Sequence, residues 1–202
     1  MKRLFLVFLS GLLVPCFLSC SSSGQSDSRG ELALADNVAL SVIYRRKSVR
    51  QFLPKSVEAD KVDAMVRAGL AAPSGKDTRP CHIVVVNDRN LLDQMGERLH
   101  NARMLSRAPV AFIVCGDTTR STYWEVDAAA VAENILLAAE AMDLGAVWTA
   151  SYPYEDRMAV VDDLFHLPAH VLPLCVIPVG YPSGNPRPKD KYDPAKIHTN
   201  QW

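Results

Sequence analysis

The sequence predicts a single domain in which helices and strands alternate along the chain. Three observations lead there. Short apolar runs rich in β-branched residues (82–86, 109–115 and 171–179) are separated by stretches whose apolar residues recur every three or four positions. The chain has 202 residues, 49% of them hydrophobic, which suffices for one sizeable core or at most two small ones. Its 22 basic and 22 acidic residues give net charge +0, which excludes a disordered polyelectrolyte, and the composition excludes a collagen-like or multi-span membrane chain. The same balance argues against a nucleic-acid partner, which selects a clear excess of Lys and Arg.

Taken in order, residues 37–46 form a helix with Val38, Val42 and Ile43 apolar and basic residues at its carboxyl end, where the helix dipole favours them. Residues 58–70 place Val62, Met65, Val66 and Leu70 on one helical face. A buried strand follows at 82–86. Asp88 then caps a helix running to about Leu99, and 109–115 is the next strand. Residues 123–142 make the longest helix, rich in Ala, Val and Leu around most of its circumference. Such a helix is expected to be buried on nearly all sides, as the spine of the domain or of a dimer. A short strand at 146–150, a helix at 155–165 and a strand at 171–179 complete the domain. From Tyr181 onward, Pro182, Pro186, Pro188 and Pro194 predict an extended arm.

The amino terminus differs from the rest. Lys2 and Arg3 precede an apolar stretch over 4–14, too short to span a bilayer and suited to a cleavable export signal. Phe17-Leu18-Ser19-Cys20 resembles a bacterial lipobox, with Phe17 in place of the usual leucine, and makes Cys20 the lipidated first residue. Cys16 is a poorer choice because Pro15 would sit at the cut. The polar stretch 21–30 reads as a flexible tether. The organisation expected is therefore a signal peptide at 1–19, lipidated Cys20 and tether at 20–35, and a domain at 36–202. It places the domain outside the cytoplasm, as a membrane-anchored lipoprotein of the cell envelope on the periplasmic side or outer membrane. An uncleaved anchor is the alternative and gives the same orientation. Without residues 1–19 the chain keeps 20 basic and 22 acidic residues, net −2. Cys81, Cys115 and Cys175 have no metal spacing. Cys115 and Cys175 read as small core residues, and an oxidising compartment permits one disulfide with no pair singled out.

Three separated patches bear on chemistry. The first, residues 45–52, carries Arg45, Arg46, Lys47 and Arg50 around Ser48, a set able to share one anion, although a charge run by itself is a solvated terminus. The second, residues 72–80, is a turn of small residues and prolines whose backbone can closely approach a flat ligand. The third is Pro188-Lys189-Asp190-Lys191 on the arm, where alternate lysines share one side of an extended chain. His166 and His170 are four apart, but Pro168 breaks the helix that would align them on a metal, and no metal is expected. Trp124 and Trp148 read as core. Asp127 and Asn134 on the long helix read as dimer-interface groups or as its less buried face.

Together, Arg46-x-Ser48-x-Arg50, Ala72-Pro73-Ser74-Gly75, Asp143-Leu144-Gly145 with Val147-Trp148 and Tyr152-Pro153, and Pro188-Lys189-x-Lys191 resemble the nitroreductase family of FMN flavoproteins over residues 37–202. The resemblance implies an α+β fold, a mixed sheet flanked by helices, with the long helix at the interface of a homodimer. Two FMN molecules would lie at that interface, and the arm would wrap the partner. It assigns Arg46, Lys47 and Ser48 to the FMN phosphate and ribityl chain. Arg50 falls to the N1–C2 edge, where a fixed cation favours reduced flavin. Pro73, Ser74, Gly75 and Asp77 fall beside the ring or ribityl chain, from the other subunit. Pro153 and Tyr154 fall beside N5, and Lys189 and Lys191 close on the phosphate. No residue is assigned as catalytic, because flavin carries the chemistry. The family pattern has Asn, Gln and an aromatic where Asp77, Arg79 and Cys81 stand; ionised Asp only accepts hydrogen bonds, and Arg79 is placed to neutralise it. The function implied is transfer of electrons from NAD(P)H through FMN to a nitroaromatic, quinone or similar electron-poor small molecule. The alternatives are an exported FMN-binding lipoprotein without turnover, and a specialised member acting on one flavin or aromatic metabolite. Export makes the donor an open question, since nicotinamides are cytoplasmic.

Overall fold

Asn37 begins the part of the chain described by the computed structural model, residues 37–202; the expected signal peptide, Cys20 and tether lie outside the described residues. The Asn37 side chain accepts the Leu40 amide at 3.1 Å and starts helix α1, Val38–Arg45. Helix α2, Ala59–Leu70, turns Met65 and Gly69 inward. Strand β1 is Cys81–Val86. Asp88 caps α3, Arg89–Arg98, through the Leu91 amide at 2.9 Å, as its place before the apolar period predicts. Strand β2 is Val110–Asp117 and helix α4 is Trp124–Ala141. The two-residue strands β3, Gly145–Ala146, and β4, Thr149–Ala150, precede α5, Glu155–Phe165, and β5, Val171–Gly180. Among the described residues, no helix is long and apolar enough to cross a membrane.

The sheet runs β1-β2-β5, with β3 and β4 both on the free edge of β5, and every one of these ladders is antiparallel. The mixed character expected of the sheet comes down to one parallel bridge, between Ser48 and Ala146. The single strand expected over 146–150 is split in two, and Pro178 explains the split. It stands opposite the Val147 position in a register that is continuous from Gly145 with Gly180 to Ala150 with Cys175. The Val147 amide still reaches the Pro178 carbonyl at 3.4 Å, but proline has no amide proton to return, so the ladder is interrupted there and resumes at Thr149.

Strand β2 is buried along its whole length because helices cover both faces of the sheet. Phe112 and Val114 enter a core with Met65 of α2 and Ile135 of α4, whereas Ile113 and Cys115 enter a second core with Leu92 and Met95 of α3 and Val161 of α5. This is why the β2 sequence reads as a continuous apolar run instead of an alternation. Cys115 and Cys175 are fully buried and uncrosslinked, as core residues should be; Cys81 is half-buried and also free. The long helix is the spine of the first core through Trp124, Ala128, Val131, Ile135 and Ala139. Burial on nearly all sides is not reached within one chain, because Val126 is 70% exposed on its open flank.

Candidate functional site

The segment following α1 is held on both sides. Ser48 bridges Ala146, and the Val49 amide donates to the Ala146 carbonyl at 2.9 Å. Beyond it, the Leu53 amide donates to the Tyr181 carbonyl at 2.8 Å and the Ser183 amide to the Gln51 carbonyl at 2.9 Å, with Phe52 opposite Pro182. The start of the carboxyl-terminal arm is thereby laid beside residues 48–53. Tyr181 is anchored as well: its hydroxyl donates to Glu58 at 2.6 Å, and the Lys55 ammonium sits 3.6 Å from its ring centroid. The remainder of the arm is exposed apart from Pro186 and Asp193, with one short 3-10 turn at Pro194–Lys196 that its proline content alone did not predict.

This docking creates a cavity of about 230 Å³ lined by Arg46, Lys47, Ser48, Arg50, Arg187, Lys189 and Lys191. The first and third sequence patches therefore meet in space, and both arm lysines face the same cavity, as their alternate spacing predicts. Two of the cations are already engaged. Arg46 Nε lies 3.4 Å from Glu133, and the Lys47 ammonium is held at 2.9 and 3.1 Å by the two oxygens of buried Glu140. Lys47 thus borders the cavity with its charge turned toward the long helix. Arg50, Arg187, Lys189 and Lys191 have no acidic partner within 4.0 Å among the described residues. Four uncompensated cations around a hydroxyl suit a phosphate group. Arg187 went unassigned from sequence; its place two residues before Lys189, on the same side of an extended chain, was the available signal. Arg46, Lys189 and Lys191 also line a second cleft, of about 730 Å³, together with Tyr44 and Tyr192.

The second patch lines a different cavity, of about 220 Å³, formed by Leu70, Ala72, Pro73, Ser74, Arg79, Cys81 and Val131. It shares no lining residue with the cationic one. The turn is braced from several directions. Asp127 accepts the Gly75 amide at 2.8 Å, the Ser74 hydroxyl accepts the Arg79 amide at 3.0 Å, and the Thr78 hydroxyl donates to the Gly75 carbonyl. A Cβ at Gly75 would come within 2.8 Å of the exposed Tyr123 ring, which would have to shift to admit it. Lys76, Asp77 and Arg79 all hold positive φ (54°, 55° and 49°), a concentration of strained backbone of the kind that surrounding contacts must maintain. Arg79 does neutralise Asp77, by a two-pronged pair at 2.8 and 2.7 Å that holds the Asp77 carboxyl below its usual range. Burial, and to a lesser extent the Asp127 charge, together push the Cys81 thiol up to about 11, so it is a poor nucleophile at neutral pH.

Pro153 and Tyr154 follow β4, where the Tyr152–Pro153 peptide is cis and the Tyr154 ring lies under the Arg157 guanidinium at 3.8 Å. Neither lines the two cavities above. Trp124 is core, edge-on to Tyr152 at 4.9 Å and filling the space over Gly116. Asp127 corrects its sequence reading, whereas Asn134 is half-buried. Asp127 is buried, bonded to Gly75 and Ser121, and Asn134 donates to the Ala68 carbonyl at 2.9 Å. Both stitch the long helix to its own chain, a pairing that sequence distance conceals. His166 ends α5 at positive φ, and His170 lies 3.9 Å from Asp117.

Set beside known proteins, this arrangement has many counterparts. The nitroreductase family profile matches residues 43–104 and 96–181. The chain belongs to the nitroreductase family. A crystal structure from Bacteroides thetaiotaomicron, provisionally described as an NADH dehydrogenase/NAD(P)H nitroreductase, superposes with a TM-score of 0.81 at 60% identity, over 82% of this chain and 99% of that one. A protein of the same description from Methanothermobacter thermautotrophicus is 40% identical over 81% of this chain and 87% of its own. An FMN-dependent nitroreductase from Clostridium difficile superposes with a TM-score of 0.76 at 25% identity, covering 80% of this chain and 98% of its own. As a nitroreductase, the chain shares an α+β fold in which an antiparallel sheet is flanked by helices.

Proposed function

We propose that this nitroreductase is an FMN-dependent oxidoreductase that works as a homodimer, exported and tethered to the bacterial envelope through Cys20. The observation that carries the reading is the cation-lined cavity at the sheet edge, assembled from residues 46–50 and 187–191. Its four uncompensated cations and Ser48 fit a flavin phosphate. The mainly apolar cavity at Pro73 and Ser74, with its rigid turn, fits the face of a flat ring. When bound, FMN would supply the electron transfer between a reduced donor, NAD(P)H by the relatives' names, and an electron-poor small molecule. The residues of this chain bind and orient. Arg187, Lys189 and Lys191 hold the phosphate, Arg50 offers positive charge toward the ring, and the braced turn covers it without a mobile side chain.

The two cavities share no lining residue, which supports dimerisation, since a partner can bring its Pro73–Ser74 turn to this chain's cationic cavity. On the open flank of α4, exposed Val126 is available to such an interface. The relatives reported above are named as reductases, which favours turnover over FMN storage.

The test is to purify the chain from Ser21 onward, add FMN, and record its visible spectrum. A flavin band that bleaches anaerobically with NADH or NADPH at enzyme-like rates is expected. No flavin uptake sinks the proposal, and uptake without bleaching leaves only binding. For the tether, cells fed radiolabelled palmitate should label the full-length protein and not its Cys20→Ser variant; equal labelling of the two would remove the lipid assignment.

A further inference from the structure

Three acidic residues are buried among the described residues, and they are compensated differently. Glu140 faces the Lys47 ammonium at 2.9 Å, and Asp117 lies 3.9 Å from the His170 imidazole while accepting the Thr119 amide and hydroxyl. Asp127, only 5% exposed, faces no cation within 4.0 Å among the described residues. One of its oxygens accepts the Gly75 amide at 2.8 Å and the other the Ser121 hydroxyl at 3.0 Å, while the Ser121 oxygen accepts the Tyr123 amide at 3.0 Å. A residue at this place in the first turn of α4 could serve the helix dipole alone. Its bond to Gly75 does more, because it reaches 52 residues back to the turn that forms the wall of the apolar cavity.

We infer that Asp127 is the positioning residue of the flavin-facing turn, and that its uncompensated charge lowers the reduction potential of the bound flavin. This rests on the FMN reading above. Without the brace, the positive-φ backbone at Lys76, Asp77 and Arg79 loses the contact anchoring its leading end, and the turn is free to relax away from the ring. The electrostatic part follows from sign and burial. Reduction adds negative charge to the ring, and a fixed anion behind the turn opposes it in a medium that screens poorly. The Cys81 thiol, in the same cavity wall, already registers that anion. The nearby Asp77 carboxylate has no such effect, because Arg79 cancels it in solvent-exposed surroundings. Arg50 and Asp127 then pull the flavin in opposite directions, so the potential is set by a balance between a cation and an anion.

The test uses Asp127→Asn and Asp127→Ala in the mature protein, with two readouts: FMN affinity by quenching of flavin fluorescence, and midpoint potential by equilibration with redox dyes. Asparagine keeps an oxygen for Gly75 and loses the charge. It is expected to bind FMN within about threefold of the parent protein, with a higher potential. Alanine loses the brace and is expected to weaken FMN at least about tenfold. Should that variant not fold, Ser121→Ala removes half of the same network and is expected to weaken FMN about threefold. An unchanged potential in Asp127→Asn overturns the charge role, and unchanged affinity in the brace variant overturns the positioning role. Failure of the parent protein itself to take up FMN would instead overturn the flavin reading on which both depend.

Discussion

A chain carrying Lys189→Ala and Lys191→Ala is expected to fold normally and to bind FMN roughly 10- to 100-fold more weakly than its parent. Both side chains are on the exposed arm and contribute to neither core, so circular dichroism and the unfolding midpoint should hardly move. The effect belongs to binding because both lysines line the phosphate-sized cavity and neither has an acidic partner within 4.0 Å among the described residues. Each charge removed therefore subtracts directly from attraction for a dianion, without liberating a carboxylate that would obscure the result. Arg46 and Lys47 are less clean positions for the same experiment, since truncation would leave Glu133 or Glu140 without its partner. Fluorescence titration at two salt concentrations checks the prediction, and the loss should shrink as salt rises. Equal affinities at both salt concentrations would show that the arm does not hold the phosphate.

Phe112→Ala should lower the unfolding free energy by about 3–5 kcal/mol, the range for truncating a fully buried aromatic ring. Phe112 is 0% exposed, at the centre of β2 between Val85 of β1 and Ile177 of β5. Its ring belongs to the core that α2 and α4 share, so collapse around the vacancy would have to move two helices at once. Urea unfolding followed by tryptophan fluorescence reports the change directly, since Trp124 is in the same core. A loss below about 1 kcal/mol would mean that the core rearranges far more readily than its packing indicates.

The helices and strands were largely legible because each follows a local rule. Asp88 before an apolar period marks a helix start, and apolar runs over 109–115 and 171–179 mark strands covered on both faces, which the structure carries on to Asp117 and Gly180. The split of β3 from β4 was not legible, since it depends on which residue of β5 lies opposite Val147, and pairing partners are not written in either segment. The cationic patches were visible as residue types, and family resemblance joined them. Only the antiparallel bridge of Phe52 with Pro182 shows how the arm is brought beside Ser48. Asp127 was misread for a related reason. On a helix with apolar residues nearly all round, periodicity does not say which polar side chain faces a donor from elsewhere in the chain.

By itself, the sequence determined the alternating elements, the turn chemistry of Pro73-Ser74-Gly75 and the identity of the cations, because backbone propensity, apolar period and charge are properties of local residues. Tertiary structure alone decided which cations are spent on Glu133 and Glu140 and which are left for a ligand. It also decided that Arg187 joins the set and that the two patches line separate cavities. Those outcomes depend on distances across the fold, where Coulomb energy and hydrogen bonding change over a few ångströms, and sequence separation carries no record of such distances.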